Sequence, residues 1–287
     1  MKRFCFSFLL YIVIAMCAAC TVMDLKVTAP LTDEVLFSAD GDVNFDVSTK
    51  ATAVTSLSSF YASATTGSAG SETSVWNSQT FTSNGANPPV YSGGKWWPAS
   101  DPSYHFYASN QALTFGASGT TVTATTDTDV ICAYLATSTH KVKNALTFNH
   151  IFARLGDVQV SADTGYTISG VEVSITPKTG GTYNLRTGSW ASTTNGSATN
   201  IANSTPGTKS NDIYLVPGSY TLTCKWTATK GNYSQSFTGK TVSVSLTAGN
   251  INKITATLGG SAESVTFGVS ITAWGNQTVN AGTVPVS

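Results

Sequence analysis

From Val43 to Ala273 the sequence keeps returning to one rhythm, an apolar residue followed by a polar one. Val43, Phe45 and Val47 follow it, as do Tyr220, Leu222, Cys224 and Trp226, then Val242, Val244 and Leu246, and finally Val265, Phe267, Val269, Ile271 and Ala273. A period of two places alternate side chains on opposite faces of a pleated strand, and the Thr residues on the polar side suit a half-exposed sheet. No stretch sustains a 3.6-residue period between helix caps. Pro88-Pro89, Gly93-Gly94, Gly180-Gly181, Pro217-Gly218, Ala248-Gly249-Asn250 and Gly259-Gly260 read as turns between the runs. Many short strands spaced in this way predict an all-β chain built of sandwiches.

The polarity of this chain comes from Ser, Thr, Gly and Asn. Charged residues make up only 10% of it, against about 25% in an average globular protein. Lys2 and Arg3 belong to an N-terminal leader, so the rest carries slightly more acid than base. That leaves no basic patch for nucleic acid. His105, His140 and His150 have no metal-type spacing, and no Gly-x-Ser-x-Gly elbow occurs. Gly239-Lys240-Thr241 has the end of a phosphate loop, but Ser234 stands where its first glycine belongs. No acid pair sits in a recognisable hydrolase motif. The expectation is a protein that is not an enzyme, with no cofactor and no metal.

The leader has a second message. Phe4 to Ala19 carry no charge and are too few to span a bilayer comfortably. A basic start, a short apolar region and the small residues Ala18 and Ala19 form an export signal. Cys20 follows at once, and the arrangement resembles a bacterial lipobox, with Cys17 where Leu is usual. Residues 1–19 are therefore expected to be removed and Cys20 to carry a lipid anchor; the other reading is an ordinary signal cut near Ala19 without lipid. Cys5 and Cys17 leave with the leader. Cys132 and Cys224 lie on apolar strand faces and are expected to be buried free thiols rather than a disulfide.

After the leader, residues 20–50 read as a lipidated tether with a removable first strand, 51–139 as an N-terminal β-sandwich and 140–287 as a C-terminal one. Residues 178–211, rich in Ser, Thr, Asn and Gly, are expected to be a long surface excursion.

A series of motifs then arrives in order: Ser48-Thr-Lys-Ala-Thr-Ala-Val54, Leu57-Ser-Ser-Phe60, Tyr91-Ser-Gly-Gly-Lys-Trp-Trp-Pro98, Tyr104-His-Phe-Tyr-Ala-Ser109, Asp129-Val-Ile-Cys-Ala133, Leu146-Thr-Phe-Asn-His-Ile-Phe-Ala-Arg-Leu155, Gly181-Thr-Tyr-Asn-Leu185, Val216-Pro-Gly-Ser-Tyr220, Leu246-Thr-Ala-Gly-Asn250 and Val269-Ser-Ile-Thr-Ala-Trp274. The series resembles the fimbrillin family, lipoprotein pilus subunits of Gram-negative anaerobes. The resemblance implies two tandem transthyretin-like (Greek-key) sandwiches and a location at the outer membrane, the cell surface and the fimbrium. It also implies an extracellular protease that cuts after Lys50, before Ala51, where the family more often has Arg. The cut would remove a strand carrying Val43, Phe45 and Val47. The tail of another subunit, around Thr278 to Val286, would fill the groove by strand addition, although Pro285 cannot donate a ladder hydrogen bond. The implied partners are other fimbrial subunits, the outer membrane through the lipid, the protease, and a host or bacterial surface receptor.

Other readings of the same residues stay open. Trp96 and Trp97 either stack on a sugar, as in a surface glycan-binding lipoprotein of an uptake system, or pack in the sheets. His150, on the face of Leu146, Phe148 and Phe152, is expected to be a satisfied core histidine. Arg154 is expected to pair locally and Trp274 to be core.

Overall fold

The computed structural model describes residues 34–39, 57–86, 89–97, 103–117, 119–136, 138, 143–260, 266–273, 277–279 and 283–285. All regular structure among them is β. The first strands are β1 (Glu34–Ala39), β2 (Ser59–Thr66), β3 (Thr73–Ser83), β4 (Tyr91–Trp96), β5 (His105–Ser109), β6 (Leu113–Gly116), β7 (Gly119–Thr125), β8 (Ile131–Leu135), β9 (Asn144–Leu146) and β10 (Asn149–His150). They are followed by β11 (Ala153–Ala162), β12 (Thr167–Ile175), β13 (Lys178–Asn184), β14 (Ser189–Asn195), β15 (Thr199–Asn200), β16 (Gly207–Lys209) and β17 (Ile213–Leu215). The last are β18 (Gly218–Lys230), β19 (Tyr233–Leu246), β20 (Asn250–Leu258), β21 (Thr266–Ala273), β22 (Gln277–Val279) and β23 (Thr283–Pro285).

Where the alternation is clean, the strands obey it. In β18 the side chains of Tyr220, Leu222, Cys224, Trp226 and Ala228 are buried while their neighbours face outward. β19 pairs with it so that Val244 lies opposite Tyr220 and Val242 opposite Leu222. The order β15-β12-β18-β19 forms one layer of the C-terminal sandwich. The other runs β16-β11-β20-β21-β22, with β17 added to β11 and β23 to β21. Their shared core holds Leu155, Val173, Leu222, Trp226, Ile254 and Leu258. Trp226 is fully buried, stacks on Phe237 at 4.7 Å, and donates its indole N–H to the Gly259 carbonyl at 2.9 Å.

The N-terminal sheet has the order β10-β8-β5-β2-β3-β4-β1-β9. Four strand spacings separate β5 from β1, which in a flat sheet would hold them about 19 Å apart. The rings of Phe37 in β1 and Phe106 in β5 are instead 4.8 Å apart, so the sheet curls back on itself. A bulge in β3 lies within this curl. Ala62 pairs with Gln79 but Ala64 with Trp76, and Ser78 between them takes a φ of 47°. The Ser63 hydroxyl accepts the Ser78 amide at 2.9 Å, and the Ser78 hydroxyl accepts the Leu113 amide at 2.9 Å. These bonds hold a backbone conformation that a non-glycine residue seldom adopts.

Pairing of this sheet runs through β9 and β10, at residues 144–150. Two sequence expectations are corrected. Gly93-Gly94 and Gly180-Gly181 are not turns but lie inside β4 and β13. At Gly180 and Gly181 a Cβ would stand 2.3 Å from the Ala124 carbonyl oxygen and 2.0 Å from that of Ser192, so only glycine lets β13 pass between β7 and β14. The expected excursion at 178–211 contains a hairpin, β13–β14, which joins the sheet β14-β13-β7-β6. It reads as loop because almost every β14 side chain is exposed and hydrophobic patterning has nothing to report there. Trp190 is an exception, packing on Phe152 and Tyr183.

That hairpin is pinned by charge. Arg186, in its turn, pairs with Glu72, whose side chain is only 4% exposed. The same Glu72 oxygen accepts the Tyr107 hydroxyl at 2.5 Å and the Thr65 hydroxyl at 3.3 Å. Burial, and then this hydrogen bond, hold the Tyr107 phenol well above its usual range. His150 meets Asp129 at 2.9 Å and Arg154 meets Asp212 at 2.5 Å, as the expectations of local satisfaction require. Trp274 lies outside the described residues.

Cys132 and Cys224 are free and buried in different hydrophobic clusters. Burial pushes both thiols up to about 12, so at pH 8 the thiolate is scarcer than for an open cysteine by about three orders of magnitude. In the native protein neither should react with iodoacetamide at pH 8 over an hour. Both should react at once in guanidinium, as counted by intact mass. Rapid native labelling of either would contradict its burial.

Candidate functional site

Strand β1 is short and interrupted from the ladder's point of view, yet it sits inside the sheet. It runs antiparallel to β4, with Glu34 opposite Trp96, Leu36 opposite Ser92 and Phe37 opposite Tyr91. On its other side it runs parallel to β9, with Phe37, Ser38 and Ala39 opposite Asn144, Ala145 and Leu146. Both of its backbone edges are therefore paired. Between Glu34 and Leu36 the register slips against β4, and the slack is taken up at Gly93-Gly94. Gly94 adopts a φ of +62° and donates its amide to Glu34 Oε1 at 3.0 Å. A Cβ on Gly93 would lie 2.8 Å from the Thr80 carbonyl oxygen and 3.0 Å from the Phe81 ring.

Val35 and Phe37 are both 0% exposed. The Phe37 ring meets Phe81 at 4.9 Å and Phe106 at 4.8 Å, both edge-to-face, and Phe60 at 5.9 Å. Around this knot Phe60 stacks on Phe81, Tyr91 and Phe148 tilt against Phe60, and Trp76 covers Phe81 and Phe106. Edge-to-face pairs at these distances add to the burial of the rings themselves. Without β1 the floor of the slot would be aromatic and its walls would be the unpaired edges of β4 and β9. Such a slot would take an extended peptide with large apolar residues two apart.

The sequence reading put the first strand at Val43, Phe45 and Val47, with residues before 42 as tether. Those three residues lie outside the described residues, as do Cys20, Lys50 and Ala51. What the alternation missed is β1. Val35, Leu36 and Phe37 are consecutive apolar residues, so the period-two rhythm does not show in the sequence, although Val35 and Phe37 are buried and Leu36 between them is only half-buried. Trp96 and Trp97 do not act together. Trp97 is 5% exposed, stacked on Tyr104 at 5.3 Å and edge-on to Phe106, so it belongs to the core around β1. Trp96 is 64% exposed. The pair forms no shared platform. Among the described residues no group of three or more His, Cys, Asp or Glu is placed to hold a metal ion.

The sequence model of the fimbrillin-like family matches residues 47–274. Among solved structures, a fimbrial protein from Bacteroides vulgatus aligns with a TM-score of 0.54 at 13% identity, over 83% of this chain and 99% of that one. A candidate cell adhesion protein from Bacteroides ovatus aligns with a TM-score of 0.46 at 13% identity, over 86% and 99%. A fimbrial assembly protein from Parabacteroides distasonis aligns with a TM-score of 0.39 at 8% identity, over 88% and 98%. At such identities the first of these is a likeness of fold. No curated protein matches by sequence.

Phe37→Ala in the uncut protein should cost about 3–5 kcal/mol and lower Tm by roughly 6–20 °C for a chain of this size. Trp96→Ala, on the surface of the neighbouring strand, should change stability by less than about 0.5 kcal/mol. Differential scanning calorimetry on both variants checks the contrast. Equal effects would show that β1 does not anchor this core.

Proposed function

This chain belongs to the fimbrillin-like family, and from that premise we propose that it is a fimbrial subunit, stalk or accessory or tip, that assembles by strand exchange after proteolysis and supports cell adhesion. In this reading it is exported by the signal in residues 1–19 and built as two transthyretin-like sandwiches. Cys20, once lipidated, holds it at the outer membrane. An extracellular protease cuts between Lys50 and Ala51. The family is one of fimbrial proteins rather than enzymes, and this reading assigns no catalytic residue. Its partners are other subunits, the protease and a surface receptor, at the cell surface and in the fimbrium.

The observation that carries the reading is the position of β1. Glu34–Ala39 precedes Lys50 in the chain, so a cut there severs it from everything that follows. It nevertheless fills an internal slot of the sheet, paired on both edges. Covalent attachment keeps the effective concentration of such a strand high. Cutting removes that advantage and leaves its place open to an exchange partner. The proposed displaced segment thus holds β1 as well as Val43, Phe45 and Val47.

For the donor the reading takes the tail around Thr278 to Val286. Among the described residues, two pieces of it, β22 and β23, pair with β21 at the edge of the other sheet. Val284 and Val286 repeat the two-residue spacing of Val35 and Phe37. Pro285 falls between them, on the position without an N–H to give.

N-terminal sequencing of the protein shed from cells should give Ala51. A Lys50→Ala strain should retain the lipidated Cys20 end and show the subunit as monomer on gels run without boiling, where the parent gives ladders. If the parent protein also starts at Cys20, or the Lys50→Ala strain polymerises normally, assembly by removal of β1 is wrong.

A further inference from the structure

Three hairpin turns converge on one cavity of about 400 Å³. The β2–β3 turn contributes Gly70 and Glu72, the β6–β7 turn Phe115 and Gly116, and the β13–β14 turn Asn184 and Thr187. The volume falls within the range of about 300–1,000 Å³ usual for small-molecule pockets. Its walls come from segments far apart in sequence, held together by the pairing of β13 with β7 and by the Glu72–Arg186 ion pair.

The carboxylate of Glu72 is used unevenly. Tyr107, Thr65 and Arg186 all donate to Oε1. Oε2 receives no hydrogen bond from the described residues, although the side chain is only 4% exposed. It points toward Gly119, where a Cβ would stand 3.5 Å from it, and Gly119 is itself a wall of the cavity. Glu72 lines the cavity, so its second oxygen is an accessible acceptor there, a place for a ligand hydroxyl. The charge of Glu72 is already answered by Arg186, which leaves the site without a net call for an ion. Phe115 adds an apolar wall beside these polar groups. An accessible acceptor, an apolar ring and a neutral balance suit a polyhydroxylated ring with one apolar face.

We propose that this cavity binds a single neutral sugar ring, which donates a hydroxyl to Glu72 Oε2 and lays its apolar face on Phe115. The site is separate from the β1 slot, and the proposal stands or falls independently of strand exchange. It also differs from stacking on Trp96 and Trp97.

Gly116 makes the test clean. Its backbone lies outside the left-handed region, and a Cβ there would meet nothing within 4 Å. Gly116→Phe should therefore fill the cavity without disturbing the fold, and Glu72→Gln should weaken the acceptor while keeping the shape. The mature chain is titrated with glucose, galactose, mannose, fucose, N-acetylglucosamine and N-acetylgalactosamine, each to tens of millimolar. Saturation-transfer NMR reads the sugar, and amide shifts of Gly70, Gly116 and Gly119 read the site. At least one sugar should bind with a Kd on the order of 1 mM, as suits so few atoms. Gly116→Phe or Glu72→Gln, with Tm near that of the parent, should weaken it about tenfold or more, and Trp96→Ala should leave it unchanged. The proposal is overturned if no sugar shifts these amides, if both cavity variants bind like the parent, or if only Trp96→Ala removes binding.

Discussion

The ring of Phe37 stands edge-on against Phe81 and Phe106 and beside Phe60, and much of the N-terminal half is arranged around that contact. The sheet must curl for β1 to reach β5, and the bulge at Ser78 lies within the curl. Gly93 has no side chain because the Phe81 ring needs the space. Trp97, Tyr104 and Phe148 complete the packing. One aromatic side chain from a six-residue strand thus closes a core drawn from residues as far as 111 positions downstream in the chain. Apart from β1, the rings of Phe60, Phe81, Tyr91 and Phe106 stand on strands β2, β3, β4 and β5, which pair with one another.

A second constraint joins the halves. The β13–β14 hairpin leaves the C-terminal sandwich and adds to β7, which lies in the N-terminal half of the chain. Its backbone fits only because Gly180 and Gly181 carry no Cβ. Its turn is fixed by Arg186 on Glu72. Both faces of β5 are consequently covered, Phe106 by the aromatic knot and Tyr107 by the cluster beneath the hairpin.

How much of this the sequence disclosed depends on whether one face of a strand is wet. β18 and β19 have one buried and one exposed face, so Tyr220, Leu222, Cys224, Val242 and Val244 announced themselves. β1 carries the apolar Leu36 on its half-buried face between the buried Val35 and Phe37, so alternation passed over it. The hairpin at 178–195 is half-buried along β13 and exposed along β14, and it is held by glycine contacts and charge, which leave no hydrophobic rhythm. Glu72 and Arg186 lie 114 residues apart, and nothing in either neighbourhood announces the other. Family resemblance reached further than pattern, since it depends on the order of many weak motifs rather than on any single one.

The central claim is that β1 is a replaceable plug in the aromatic slot, and hydrogen–deuterium exchange reads it directly. Amides of Tyr91–Trp96 and Asn144–Leu146, which flank β1, are compared in the uncut protein, in the protein cut at Lys50 and separated from its N-terminal piece, and in assembled polymer. The account predicts protection, then fast exchange, then protection again, while Gly218–Lys230 in the other half stays protected throughout. Unchanged protection of both flanking strands across all three states would contradict it.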